Sequence, residues 1–597
     1  MARNPIAFLA RTAALLVTAL LALAGPAAAW AGAGSGPVDW LQWGQNAQHQ
    51  GAVGVAAQSL QRVLAQVQYD PFVDQERVDG GGSILVHYQT PLLRDDDVFM
   101  EFKTGTYTLA DGTNDATRWN SQVWNERRLQ IQHGSLVQRW SFQSDWKPEP
   151  ADLALGWEPV FHAALAGDSV YVPGLGGTVF RVDAGSGRQL ARINPFGATA
   201  DPSIYVAGPL VADGRGGVLY NALQLNANEN AVGAWLVRVR ADGSSRVASF
   251  ADLIPGAPTS CVGAFTNATL PWPPAPDSLP ASGPCGLQRP GLNVAPAVAP
   301  DGTVYTISRA DFNERYSYVV AATADLAPKW AASLRDRLND GCGVLVPIAP
   351  TPDPAHNSCR FGANVGVDPQ TNQRPAGRVR DITSASPTVL PDGSVLYGAW
   401  TRYDTIRGHL FKFSASGAFQ AAIDFGYDST PAVYQHDGVH IVLKENHYDG
   451  EFGMYCNPDG GQVSGIVCAN TGTPTGPFSI TQLNADLVPE WRFQNTNTQT
   501  CTRQPDGSLS CVDDTPNGFE WCINAPAVDG NGTVYGNSED GFLYSIPQGH
   551  HGTFTQFGQR AFMGVALGNA YTPSSISRAG VVFTSDNGAL FAIGRQA

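Results

Sequence analysis

The chain has 597 residues, 43% of them apolar and only 15% charged, with 65 glycines, 42 prolines and a formal net charge of -15. That balance, with no block of Lys or Arg, excludes nucleic acid and anionic membrane surfaces as partners, since both attract through clustered positive charge. Glycine and proline at this density suit many short strands joined by tight turns, and leave little room for long helices.

In chain order the first element is a targeting signal. Arg3 and Arg11 precede an apolar run over residues 12–24 and a small-residue site near Ala29 or Ala31, which predicts a secretory signal peptide over residues 1–31. No cysteine follows the apolar run to carry a lipid, and nothing later reaches the ~18 consecutive apolar residues of a membrane span. The expected product is a secreted or periplasmic monomer with no transmembrane anchor.

Residues 294–306 read VAPAVAPDGTVYT, a strand, a Pro-Asp-Gly turn and a second strand, and residues 524–536 repeat the pattern as NAPAVDGNGTVYG. The same hairpin begins at Pro91, Pro159, Pro209, Pro296, Pro387, Pro431, Pro526 and Pro573, eight copies in all. A third alternating stretch follows each hairpin, as in GTVFRVDAG and GHLFKFSASG, and most copies add a fourth, as around Trp330 and Trp491. A four-stranded unit cannot bury both faces alone, so the repeat predicts sheets packed radially face to face. The expected fold is therefore all-β: one eight-bladed β-propeller of four-stranded antiparallel blades over residues 32–597. The eighth copy stops after its third strand, and residues 63–69, VLAQVQY, are expected to close the ring by pairing with residues 589–593.

Two stretches resemble a known family. Residues 39–51, DWLQWGQNAQHQG, contain a Trp-x-Gln-x-Gly start, and residues 170–191, VYVPGLGGTVFRVDAGSGRQLA, follow the order strand, Gly turn, strand, Asp-Ala-x-x-Gly turn, outer strand. The chain is similar over nearly all of residues 32–597 to the pyrroloquinoline-quinone-binding-like repeat family, which includes quinoprotein alcohol dehydrogenases and a non-enzymatic outer-membrane assembly factor of eight blades. The resemblance implies the fold, and implies pyrroloquinoline quinone and calcium only if the chain is a dehydrogenase. The dehydrogenases close a ring of adjacent cysteines over the quinone, and haem-bearing members carry Cys-x-x-Cys-His; neither motif occurs here. No catalytic residue is carried over.

The nine cysteines of an exported chain are candidate disulfides whose connectivity spacing leaves open. Nearest-neighbour pairing gives Cys261 with Cys285, Cys342 with Cys359, Cys456 with Cys468 and Cys501 with Cys511, leaving Cys522 over. In a propeller the loops after second and fourth strands share one face. All four cysteine pairs, and a fifth insertion over residues 104–125, fall in such loops, whereas the Pro-Asp-Gly turns sit on the plain face. Long stapled loops on a rigid scaffold are where binding resides.

Residues leading into each inner strand from that face should ring the channel mouth: His87, Trp157, Glu158, Tyr205, Asn293, Asp381, Asp428, Glu520, Trp521, Asn524 and Tyr571. Aromatic and acidic side chains converging there suit a sugar, a quinone or a cation. Each has a plainer reading as channel filling. His436 and His440 have the spacing of helical metal ligands but fall on a turn and a strand, and Lys444, Glu445 and His447 read as surface salt bridging, so no metal site is assigned. The expected function is a non-enzymatic binding or scaffold protein whose partner, a small molecule or an envelope protein, meets the inserted-loop face. The alternative is a pyrroloquinoline-quinone and calcium-dependent dehydrogenase of alcohols or sugars, and whether the chain is an enzyme stays open at this point.

Overall fold

The computed structural model describes residues 38–595 apart from 85, 109–116, 149–157, 265–277, 339–370, 372, 375, 402–406, 426–427, 447–477, 548–551, 555–556 and 570. Eight antiparallel sheets, each of four principal strands, follow one another along the chain. Blades 1 to 7 span residues 92–143, 164–193, 204–249, 288–333, 388–425, 432–494 and 527–562. Blade 8 combines Ser575–Ile576, Val582–Asp586 and Ala589–Gly594 with Arg62–Gln68. The expected closure is present, with Val63 opposite Ile593 and Gln68 opposite Ala589. Among the described residues no helix is long and apolar enough to cross a membrane.

Strand position within a blade follows from side-chain pattern. The second strand of blade 4, Val304–Ala310, is buried at every position, because both faces of a central strand meet neighbouring sheets. The outer strand of blade 1, Ser135–Gln143, is buried only at Leu136 and Trp140 and otherwise lies towards solvent, as expected of a strand with one free edge. Between blades 1, 2 and 3 lies one apolar cluster that includes Trp124, Trp146, Phe161, Val179 and Tyr220. The opening hairpin turns at Gly302, whose φ of 86° needs a residue without Cβ strain. Asp301 fixes that turn by accepting from the Thr303 amide at 2.8 Å.

The segment carrying Trp-x-Gln-x-Gly has an unexpected place. Residues 40–58 run as a belt around the plain face and touch the inner strand or turn of every blade. Trp40 exchanges backbone bonds with Leu93, Leu165 donates to Leu41, Val298 to Ala47, Val389 to Gln48, Val433 to Gln50, Val528 to Gly51 and Gln58 to Gly580. Blade 3 is reached by a side chain, the Gln42 carbonyl accepting from the buried Ala212 amide at 2.6 Å. Gln42→Ala strands that amide, so urea denaturation should show a loss of about 1–3 kcal/mol, the cost of a buried donor left unmet; no shift in midpoint would mean that water replaces the glutamine.

Candidate functional site

Two of the expected disulfides are present, Cys261–Cys285 and Cys501–Cys511; Cys342, Cys359, Cys456 and Cys468 lie outside the described residues. Cys522 is a buried free thiol, pushed well above its ordinary pKa by burial. The first disulfide builds part of a site. It joins Ser260–Val262 to Ser282–Pro284, and both sulfurs sit in a small core with Ala310 and Tyr316. The Val262 amide donates to the Tyr316 hydroxyl at 2.8 Å, the Asn313 side chain donates to the Val262 carbonyl at 2.9 Å, and the Phe312 amide donates to the Cys285 carbonyl at 2.9 Å. The stapled hairpin thereby holds the loop over residues 310–316 after the second strand of blade 4.

That loop meets the approach to blade 5 in a dense charged knot. Arg289 grips Asp381 with two nitrogens, at 2.9 and 2.6 Å, and reaches Asp311 at 2.7 Å. Arg309 adds a contact to Asp381 at 2.8 Å, and the Leu292 amide donates to the same carboxylate at 3.1 Å. Burial alone would raise the Asp381 pKa; the two guanidiniums overcome it and hold the carboxyl well below its usual range. Glu314 is likewise lowered against its burial, by Arg380, Arg378, Arg309 and Arg315. Above the knot opens a polar cleft of about 350 Å³, walled by blades 3 and 4 and the approach to blade 5, with Asn230, Phe312 and Arg380 among its lining residues.

A second knot is closed. The Lys103 ammonium lies 2.9 Å from Asp70, 2.7 Å from Glu76 and 2.9 Å from Glu158, and is itself fully buried. Burial would lower the lysine, but the three carboxylates raise it well above its usual value. Glu76 is raised by burial first and by Asp70 next, with Lys103 opposing both. Tyr88 completes the group by donating to Asp70 at 3.1 Å.

The other residues expected at the mouth are distributed among separate contacts. Asn293 accepts from the Val160 amide at 2.9 Å and donates to the Asp381 carbonyl at 3.3 Å, tying blade 2 to the charged knot. Asp428 accepts from the Ser384 amide at 3.0 Å and is pushed up to about 6 by burial, with Lys444 opposing. Asn524 donates to the Ser384 hydroxyl. Tyr571 stacks on His87 at 3.9 Å, with the Lys444 nitrogen 5.7 Å from its ring. Trp521 packs against Phe493 and Tyr544, Tyr205 is half-buried in the strand Ile204–Val206, and Glu520 is half-buried with its carbonyl bonded to Glu539. Trp157 lies outside the described residues. The geometry thus joins Asn293 to Asp381 and joins Asp428 to Asn524 through Ser384, while Glu158 belongs to the lysine knot.

Among the weaker signals, His440 binds Glu490 through Nδ1 and the His436 carbonyl through Nε2, both at 2.6 Å, which leaves neither ring nitrogen for a metal. Glu445 is engaged by Thr481 and Arg492, and His447 lies outside the described residues. Sequence reasoning missed Lys103 and the arginines of the open knot. A usable signal was there for the arginines: in a chain with few charges, Arg309, Asp311, Glu314 and Arg315 fall within seven residues, and Arg378, Arg380 and Asp381 within four.

Among the described residues, the carboxylates and aromatic side chains expected at the mouth form no arrangement that fits a quinone with its calcium ion. The described carboxylate trio already surrounds an ammonium, which occupies the position a cation would take, and no other group of three His, Cys, Asp or Glu among the described residues is placed to hold a metal. The side chains Asn293, Asp428, Trp521 and Tyr571 are buried against the protein itself.

No family model and no curated protein matches the chain. Solved structures with which it aligns include a europium-containing methanol dehydrogenase, at 9% identity and a TM-score of 0.48, covering 92% of this chain and 90% of that one. The quinohemoprotein alcohol dehydrogenase of Comamonas testosteroni aligns at 12% identity and a TM-score of 0.47, covering 95% and 82%. BamB of Moraxella catarrhalis aligns at 10% identity and a TM-score of 0.37, covering 89% and 98%.

Proposed function

We propose that this propeller is an exported, non-enzymatic binding protein whose small-molecule or envelope-protein partner sits on the inserted-loop face. The observation that carries the reading is the open cleft over the Asp381 knot, walled by a loop that a disulfide holds in place. The belt over residues 40–58 covers the opposite face, which favours approach from the inserted side. Disulfides suit the oxidising compartment to which residues 1–31 would direct the chain. The filled lysine knot and the missing adjacent cysteines speak against a quinone-dependent dehydrogenase.

Two measurements test this reading. Incubation with pyrroloquinoline quinone and calcium, followed by a quinone absorbance scan and dye-linked oxidation of an alcohol and sugar panel, should show neither tight uptake nor turnover. A thermal-shift screen of neutral and anionic small molecules should find stabilising compounds whose effect disappears when Cys261 and Cys285 are replaced by serine. Stoichiometric quinone uptake would place the dehydrogenase reading first.

A further inference from the structure

The chemistry of the cleft is set by one guanidinium. Arg380 lines the cleft and stacks 4.5 Å from the Trp400 ring, and its Nε meets Glu314 at 3.4 Å. Among the described residues its two terminal nitrogens have no hydrogen-bond or ion-pair partner. Arg378 also lies over Trp400, at 5.2 Å, and contacts Glu314 at 3.3 Å, so a second guanidinium shares both of the groups that hold Arg380. Five guanidiniums (Arg289, Arg309, Arg315, Arg378 and Arg380) surround three carboxylates (Asp311, Glu314 and Asp381), and Glu229 adds a fourth at the rim. Guanidinium stays charged at any physiological pH. Phe312, also lining the cleft, is 55% exposed, an apolar surface beside the fork.

A guanidinium held by stacking and by its Nε, with both terminal amines open, matches the two oxygens of a carboxylate or a phosphate ester, because the fork is pre-organised and loses little freedom on binding. We propose that the cleft binds a small organic anion, the terminal nitrogens of Arg380 taking two oxygens of its carboxylate or phosphate while Phe312 covers an apolar ring or chain. This deepens the binding reading given above and rests on it. The neutral and cationic classes are disfavoured because Asp381, Asp311 and Glu314 are already engaged by arginines, which leaves few acceptors for a hydroxyl-rich or positively charged ligand.

Benzoate and phenyl phosphate, with benzyl alcohol as the neutral control, test the assignment on the full chain by titration calorimetry at low and high salt. One or both anions should bind with a Kd of about 1 mM or tighter, more weakly at high salt, and benzyl alcohol should not bind. Arg380→Gln should abolish binding or weaken it at least about tenfold, and Arg380→Lys, which keeps the charge and loses the fork, should fall in between. Phe312→Ala should weaken binding by about threefold, less than loss of the charge. Unchanged melting temperatures of the unliganded variants would show that the fold survives; if Arg380→Gln unfolds, the salt dependence and the benzyl alcohol control still decide. Absence of anion binding to the native chain at ~10 mM, or equal binding by Arg380→Gln, overturns the proposal. If neutral compounds still stabilise the chain through the inserted face, the broader binding reading survives that failure; if neither set binds, both fall.

Discussion

Replacing Lys103 with methionine should destabilise the propeller by roughly 3–5 kcal/mol at neutral pH, since removing one partner of a buried ion pair leaves the other charges uncompensated. Here three carboxylates depend on one ammonium, all within 2.9 Å of it and all buried. The loss should also depend on pH in a stated direction. Glu76 already has a raised pKa from burial, and removal of the ammonium raises it further. A carboxyl whose native pKa exceeds its unfolded value binds more protons when folded, so its penalty grows as pH rises from the ordinary carboxylate range upward and disappears in acid. Urea midpoints for native chain and variant should therefore lie closer together at pH 5 than at pH 8. Equal gaps at both values would mean that the lysine contributes packing alone.

Asp381→Asn should have an effect of similar size, with its pH dependence confined to a more acidic window. The substitution leaves Arg289 and Arg309 buried beside a neutral amide, an expected cost of about 3–5 kcal/mol near pH 7. Those guanidiniums hold the Asp381 carboxyl below the ordinary carboxylate range. Its stabilising contribution is complete above the unfolded pKa and is lost as pH falls through the lower native one. The gap between native chain and variant should thus be flat from pH 8 to pH 5 and close only below about 4. A gap that narrows already between pH 7 and pH 5 would assign the linkage to another group. The knot also supports the cleft wall, so the variant should lose anion binding even at temperatures where it remains folded.

The ring of eight blades was legible because its signal repeats. A proline before a short inner strand, a glycine turn and two alternating strands recur with enough regularity that insertions show as interruptions, and the unfinished eighth copy pointed to residues 63–69 as the missing strand, which Arg62–Gln68 supplies. The site was legible only in part. Asp381 and Glu158 were picked out as acidic residues near inner strands, yet each is paired with cations that lie on other strands: Arg289 is 92 positions away from Asp381 and Lys103 is 55 from Glu158. Spacing along a chain carries no record of which second-strand side chain turns inwards at the top of a neighbouring blade. Burial was hidden for a related reason. Tyr571 and Trp521 were expected at the channel mouth; both are buried, one stacked on His87 and the other packed edge-on against Phe493 and Tyr544, and aromatic residues satisfy a protein interior as readily as a ligand.

The belt and the closing strand have a consequence for how the molecule is assembled. Gln58 binds the Arg595 amide across 537 positions of chain, so the residues that hold the ring shut are among the earliest and latest of the fold to be made. Contacts at such separation are slow to form, and until they do, the outer side of Ala589–Gly594 and the inner edges under the belt remain unpaired, open to pairing with another chain. The eighth blade therefore acts as a clasp: the ring can hold seven complete sheets and still be an unfinished, adhesive molecule, and only the return of the N-terminal segment converts it into a closed one.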